Sequence, residues 1–162
     1  MGRLMSDGVT MDAEAYLREY VDPTIAEFEE EPACRRRAFI ACLVVFHTVD
    51  YLAKRPGSPN SQNLRKAFRN ENSSFAIVER AAHAFKHSKT GHENAPVNKP
   101  LRVEDVISRP AMRAGVGQSG VSQCGDGVGG VQIWEDGAPD LLHVVRKAVA
   151  FLRLQTADPN NT

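Results

Sequence analysis

A chain of 162 residues with 42% hydrophobic and 25% charged side chains can bury a core without metal or disulfide support, and it reads as one domain. No apolar run approaches the roughly 20 residues of a membrane span; the longest, residues 38–46, has a buried-helix length, so a membrane partner is not expected. Formal charge is zero, but residues 1–32 carry two basic and nine acidic groups, residues 33–102 thirteen and four, and residues 103–162 five and seven. Either the basic middle presents a positive patch, or the acidic N-terminal helix folds against it and cancels it.

Residues 1–10 read as a flexible leader. They hold no apolar core of a secretion signal, so a cytoplasmic location is expected. From Asp12 the spacing of Leu17, Tyr20, Val21, Ile25 and Phe28 predicts a helix over 12–30. Asp22-Pro23 within it reads either as an N-cap with Pro at the first helical position or as a kink. Glu27 and Glu29, Glu30 and Glu31 fall at the wrong end for the helix dipole, which suggests a partner surface or solubility.

A second helix is predicted over 34–54, closed by the breakers of residues 55–59. It is apolar all round from 38 to 46, the mark of a central bundle helix. His47 and Asp50 interrupt it at i, i+3; such a pair is either a hydrogen-bonded structural pair or the edge of a cleft. Ser61 is expected to cap a short helix to Arg69 with Arg65, Lys66 and Arg69 on its outer face. Asn72-Ser73-Ser74 then offers the cap of the next helix, expected to stop near Thr90-Gly91. Residues 101–107 fit strand or short helix, with strand preferred. The seven glycines between 114 and 130 preclude regular helix. GDGVGG there lacks the Lys-Ser/Thr of a phosphate loop and the spacing of a dinucleotide loop, so a flexible hairpin connection is expected. Val131-Gln-Ile-Trp134 would be the returning strand and Asp136-Gly137 a tight turn. The last helix is predicted over 139–155, with one broad apolar face.

The three cysteines, Cys34, Cys42 and Cys124, form no CxxC pair. Cys34 and Cys42 lie about two helical turns apart, too far for a disulfide within one helix, so reduced thiols are expected. His83 and His87 have helix-ligand spacing, but no third ligand is obvious nearby, and neither metal nor cofactor is expected. The fold class is mainly α: an antiparallel bundle of four to five helices over residues 11–156. A small β-hairpin and Gly-rich insertion at about 101–136 precede the C-terminal helix, and 157–162 form a flexible tail.

The most informative segment is Phe75-Ala-Ile-Val-Glu-Arg-Ala-Ala-His-Ala-Phe-Lys-His87. At about 100° per residue, Phe75, Val78, Ala81, Ala82 and Phe85 gather on one side, and Glu79, Arg80, His83, Lys86 and His87 on the other. One guanidinium and two imidazoles on a stripe suit anion binding and acid–base work on a phosphodiester, though a polar stripe is also what any solvated face presents.

The apolar helix ending FHTVDYL, residues 46–52, together with the later RAAHAFKHSK, residues 80–89, resembles the HEPN superfamily of helical bundles. The Ala-x-x-x-Lys-His ending at residues 82–87 and the Gly-rich hairpin, Asp-Gly turn and final apolar helix of residues 131–154 are similar to small bacterial members. The resemblance covers about two-thirds of the chain. It implies a homodimer that binds RNA or a nucleotide phosphate. It also implies metal-independent endoribonuclease chemistry, with Arg80 and His87 in the catalytic positions; His83 and Lys86 on the same stripe, and Arg65, Lys66 and Arg69 of the basic middle, are the expected phosphate contacts. Active members favour a polar residue after the Arg, where this chain has Ala81. The expectation from a different class is a non-enzymatic homodimeric interaction module.

Overall fold

The computed structural model describes residues 11–87, 101–111, 129–133 and 140–157. Asp12 opens the first helix by accepting the Ala15 N–H at 2.7 Å. Helix α1 (Ala13–Tyr16) passes without a break through a π-helical turn (Leu17–Val21) into α2 (Asp22–Glu30). Pro23 supplies the physical reason. A proline inside a helix has no N–H to donate, and its ring crowds the carbonyl four residues back. The widened turn relieves the crowding: the Asp22 N–H bonds to the Leu17 carbonyl, and the Thr24 hydroxyl donates to the Tyr20 carbonyl at 2.6 Å. Of the two readings of Asp22-Pro23, the cap is excluded. Asp22 has helical φ and ψ of −61° and −47°, and its carboxylate pairs with Arg153 instead.

Helix α3 (Arg35–Leu52) lies at the centre, with α1, α2, α4, α5 and α6 packed around it. It buries Ala38, Phe39, Ala41, Cys42, Val45, Phe46, Val49 and Leu52, while Leu43 and Val44 are only half-buried. The connection to the next helix turns at Gly57, whose φ of 77° suits a residue without a side chain. Arg55 on this connection donates to the carbonyls of Gln155 and Thr156 at 2.8 Å each. It thereby satisfies orphan carbonyls at the end of the chain's last helix.

Helix α4 (Ser61–Glu71) is capped by Asn60, whose side chain accepts the Asn63 N–H at 2.9 Å. The cap therefore falls one residue before the expected Ser61, because Asn60 has the extended backbone an N-cap needs and Ser61 is already helical. Asn72 performs the same service for α5 (Ser73–His87), accepting from the Phe75 N–H at 2.8 Å.

The 101–107 segment divides between the two forms considered for it. A 3-10 turn over Val103–Asp105 leads into strand β1 (Val106–Arg109). Strand β2 (Gly130–Ile133) pairs with it antiparallel, from Val106 opposite Ile133 to Arg109 opposite Gly130. Gly129 has φ +79°, and a Cβ there would run into the Arg109 carbonyl, so this glycine is required where the chain returns. Helix α6 (Leu141–Thr156), capped by Asp140, buries Leu141, Val144, Val145, Ala148, Val149 and Leu152. The chain is thus a mainly helical bundle with a small antiparallel strand pair ahead of its last helix. The leader 1–10, the expected helix end at Thr90-Gly91, the glycines of 114–128, Cys124, Trp134, Asp136-Gly137 and residues 158–162 lie outside the described residues.

The acidic end of α2 is used within the fold. Arg37 pairs with Glu30 and Glu31 at 3.3 and 3.2 Å and also bonds to the Glu27 carbonyl, and Arg146 pairs with Glu29 at 2.7 Å. Arginines brought over from α3 and α6 thereby offset the unfavourable dipole end, while Glu29, Glu30 and Glu31 keep part of their side chains in solvent. The acidic N-terminal segment therefore cancels cations of the last helix as well as one of the basic middle. Among the described residues, no helix is long and apolar enough to cross a membrane.

Candidate functional site

Helix α3 changes character at Phe46. The Phe46 ring is buried, and polar groups from three helices gather around it. The Arg65 guanidinium lies over the ring at 4.6 Å, and His83 meets it edge-on at 5.1 Å. His47, next along α3, is half exposed and places Nδ1 2.8 Å from Asp50 Oδ2. The other carboxylate oxygen of Asp50 accepts from Arg65 at 2.6 Å. The His47 ring is therefore held by a carboxylate that is itself held by a guanidinium. With Nδ1–H donating to Asp50, Nε2 is the nitrogen left to accept a proton.

Helix α5 contributes the rest. His83 is half-buried, and the His87 ring lies 6.0 Å from it on the exposed last turn. Arg80 is half-buried on the same stripe, and Lys86 is exposed. The structure thus brings His83, His87 and Lys86 together with His47, Asp50 and Arg65. Of the alternatives for His47 and Asp50, the hydrogen-bonded pair is the one the structure shows.

Three placements differ from expectation. Glu79 is buried rather than on the polar face, because α4 packs over that side of α5 and Arg69 grips the carboxylate at 2.6 and 3.1 Å. Phe85 is 43% exposed rather than in the core. It sits in the last turn of α5, where its ring stacks on Phe39 at 4.9 Å. Arg65, Lys66 and Arg69 do not form one outer face: Arg65 and Arg69 turn inward onto Asp50 and Glu79, and Lys66 is exposed. Charge pairing overrode the simple reading of a cationic helix as a solvated one.

The electrostatics follow from this geometry. Burial pushes the Asp50 carboxyl up, but the hydrogen bond from His47 and the charge and hydrogen bond of Arg65 outweigh it, leaving Asp50 below its ordinary 3.8. Burial is also the largest influence on His83, lowering it below 6.5. Glu79 opposes this, while His87, Arg65 and Lys86 push the same way as burial. His83 is accordingly a neutral imidazole near pH 7. Its native state favours the neutral ring, so the associated stability is present above about pH 6.5 and is lost as pH falls toward the folded value. For Asp50 the stability is present above about 3.8 and is lost as pH falls through its lowered native value. Because Arg65 depresses both groups, Arg65→Ala should move both titration midpoints upward. Side-chain NMR titration measures this, and unmoved midpoints would show that Arg65 does not govern the cluster.

Cys42 is fully buried, and burial pushes its thiol up to about 12, so it is an inert core residue. Among the described residues, no group of three or more His, Cys, Asp or Glu side chains could hold a metal ion. Sequence reasoning missed Phe46 as the centre of the cluster and Tyr16, Tyr20 and Tyr51 beside it. The i, i+4 spacing of Tyr16 and Tyr20 was the available signal, but nothing local pointed to Tyr51. No family model, curated protein or solved structure matches the chain.

Proposed function

We propose that this is a HEPN-like cytoplasmic protein that binds RNA or a nucleotide phosphate on the face shared by α3, α4 and α5. In this reading, imidazoles there can cleave RNA without a metal ion. The observation that carries the proposal is the His47–Asp50–Arg65 chain set against His83 around Phe46, next to the Arg80–His87 stripe. An oriented imidazole, a neutral one and an exposed one supply acceptors and donors of protons, and Arg80 supplies fixed positive charge. In cleavage, one exposed imidazole takes the 2′-hydroxyl proton and the 2′-oxygen attacks phosphorus. The bond from phosphorus to the 5′-oxygen then breaks, and a second, protonated imidazole returns a proton to that oxygen. The products are a 2′,3′-cyclic phosphate and a 5′-hydroxyl. Arg80 and His87 keep the roles the resemblance implies, and His47 is the second exposed imidazole.

Binding is tested by titrating labelled single-stranded RNA at increasing salt. Affinity should fall steeply, because phosphate contacts release counterions. With Arg65 and Arg69 turned onto carboxylates, Lys66 on α4 and Lys86 on α5 remain exposed cations. Replacing both by Ala should make the log–log salt slope shallower by roughly 1 to 1.5, at about 0.7 per lost single-strand phosphate contact. Salt-independent affinity, or no binding at low ionic strength, would defeat the proposal.

A second reading, a non-enzymatic homodimeric module, is favoured by the Arg69–Glu79 and Arg65–Asp50 pairs, which engage two cations of this face inside the fold. It predicts a concentration-dependent dimer with no affinity for RNA in a sedimentation and titration series.

A further inference from the structure

Three tyrosines stack beside the candidate site, and the stack is open at one end. Tyr16 and Tyr51 lie face to face, with ring centroids 4.1 Å apart and planes 17° apart. Tyr20 continues the stack from Tyr16 at 5.5 Å and 22°. Lys54 Nζ lies over Tyr51 at 4.6 Å. The inner rungs have a structural task. Tyr16 is buried and donates its hydroxyl to the Val44 carbonyl at 3.0 Å, clamping the N-terminal helix to α3. Burial, with Tyr51, Asp50 and Tyr20 adding to it, pushes the Tyr16 phenol up to about 12, so the ring stays neutral.

Tyr20 is different. Half of it is exposed, and it stands on the π-helical turn that accommodates Pro23, a type of turn that recurs at functional sites. On α3, His47 and Tyr51 stand one turn apart with Asp50 between them, and Lys54 follows just past the helix end, so one side of this segment joins the ladder to the oriented imidazole. A cation at one end of an aromatic ladder and an open ring at the other match the two chemistries of a nucleotide, a phosphate and a planar base.

We infer that the Tyr20–Tyr16–Tyr51 ladder is a base-stacking platform that makes the site one for single-stranded RNA, with an unpaired base stacking on the open face of Tyr20 and Lys54 serving the backbone. The inference rests on the RNA-binding reading above and adds the substrate class to it. Single strands are favoured because a duplex keeps its bases stacked on one another, where a protein ring cannot reach their faces. Purines, with the larger π-face, bind better than pyrimidines.

The test is fluorescence anisotropy of labelled oligoadenylate, oligouridylate and an RNA duplex of equal length, with the full chain and its Tyr20→Ala, Tyr20→Phe and Lys54→Ala variants. Circular dichroism confirms folding; Tyr20 is half exposed, so its truncation leaves the core intact. Wild type should prefer oligoadenylate to oligouridylate and single strand to duplex. Tyr20→Ala should weaken single-strand binding about 5- to 150-fold, the range of one base–aromatic stack, and Tyr20→Phe should retain it. Lys54→Ala should reduce the salt dependence. RNA binding that is indifferent to Tyr20, or equal for single strand and duplex, overturns the stacking platform and leaves the phosphate-binding reading standing. Absence of any RNA binding by wild type overturns both.

Discussion

Single-stranded RNA incubated with the wild-type chain in the presence of a chelator should be cut, and His87→Ala or Arg80→Ala should slow the cutting by about 10²- to 10⁴-fold. That range is the usual contribution of a positioned proton-transfer group, and the loss of one donor to developing transition-state charge falls within it. His47→Ala should fall in the same range, because His47 is the exposed imidazole that Asp50 orients. Asp50→Asn should lose less, since the ring remains but its preferred tautomer is no longer enforced. These side chains are half-buried or exposed, so folding should be preserved and circular dichroism unchanged. Cleavage by wild type that survives all four substitutions would remove these residues from the chemistry. No cleavage by wild type, together with concentration-dependent dimerisation, would favour the interaction module.

Phe28→Ala should cost about 3–5 kcal/mol of stability, the range for truncating a core aromatic. Phe28 is fully buried on α2, which packs against both α3 and α6. Its removal opens a void that three helices border, and such packed helices relax only in part. Leu43→Ala should cost less than that, because Leu43 lies half-exposed on the outer side of α3. Chemical denaturation of the two variants measures the difference. Equal losses would mean that burial does not set the energetics of this bundle.

The helices were legible because their signals are local. Apolar spacing marked the continuous stretch from α1 to α2, and α3 and α6, within a residue or two of their bounds, and Asn72 announced the start of α5, because periodicity and capping act between residues a few positions apart. The return of the chain as a β2 strand over Gly130–Ile133 was legible for the same reason. The candidate site was legible only in pieces. His47 and Asp50 stand one turn apart, so their need for partners could be read directly; Arg65, which holds Asp50, could not be assigned to them.

Sequence alone determined the helical class, the central apolar helix and the stripe of Arg80, His83 and His87. Only the tertiary structure decided which cations remain exposed. Arg65 and Arg69 have the same local context as Lys66, and their fate depends on where α3 and α5 place Asp50 and Glu79. It also decided that Glu79 is buried, that Phe85 meets solvent and that Tyr51 completes a stack begun by Tyr16 and Tyr20. The physical reason is common to all of these. A side chain's exposure and partner depend on how helices cross and which neighbour covers each face, and that geometry is set by the packing of the whole core rather than by any window of the chain.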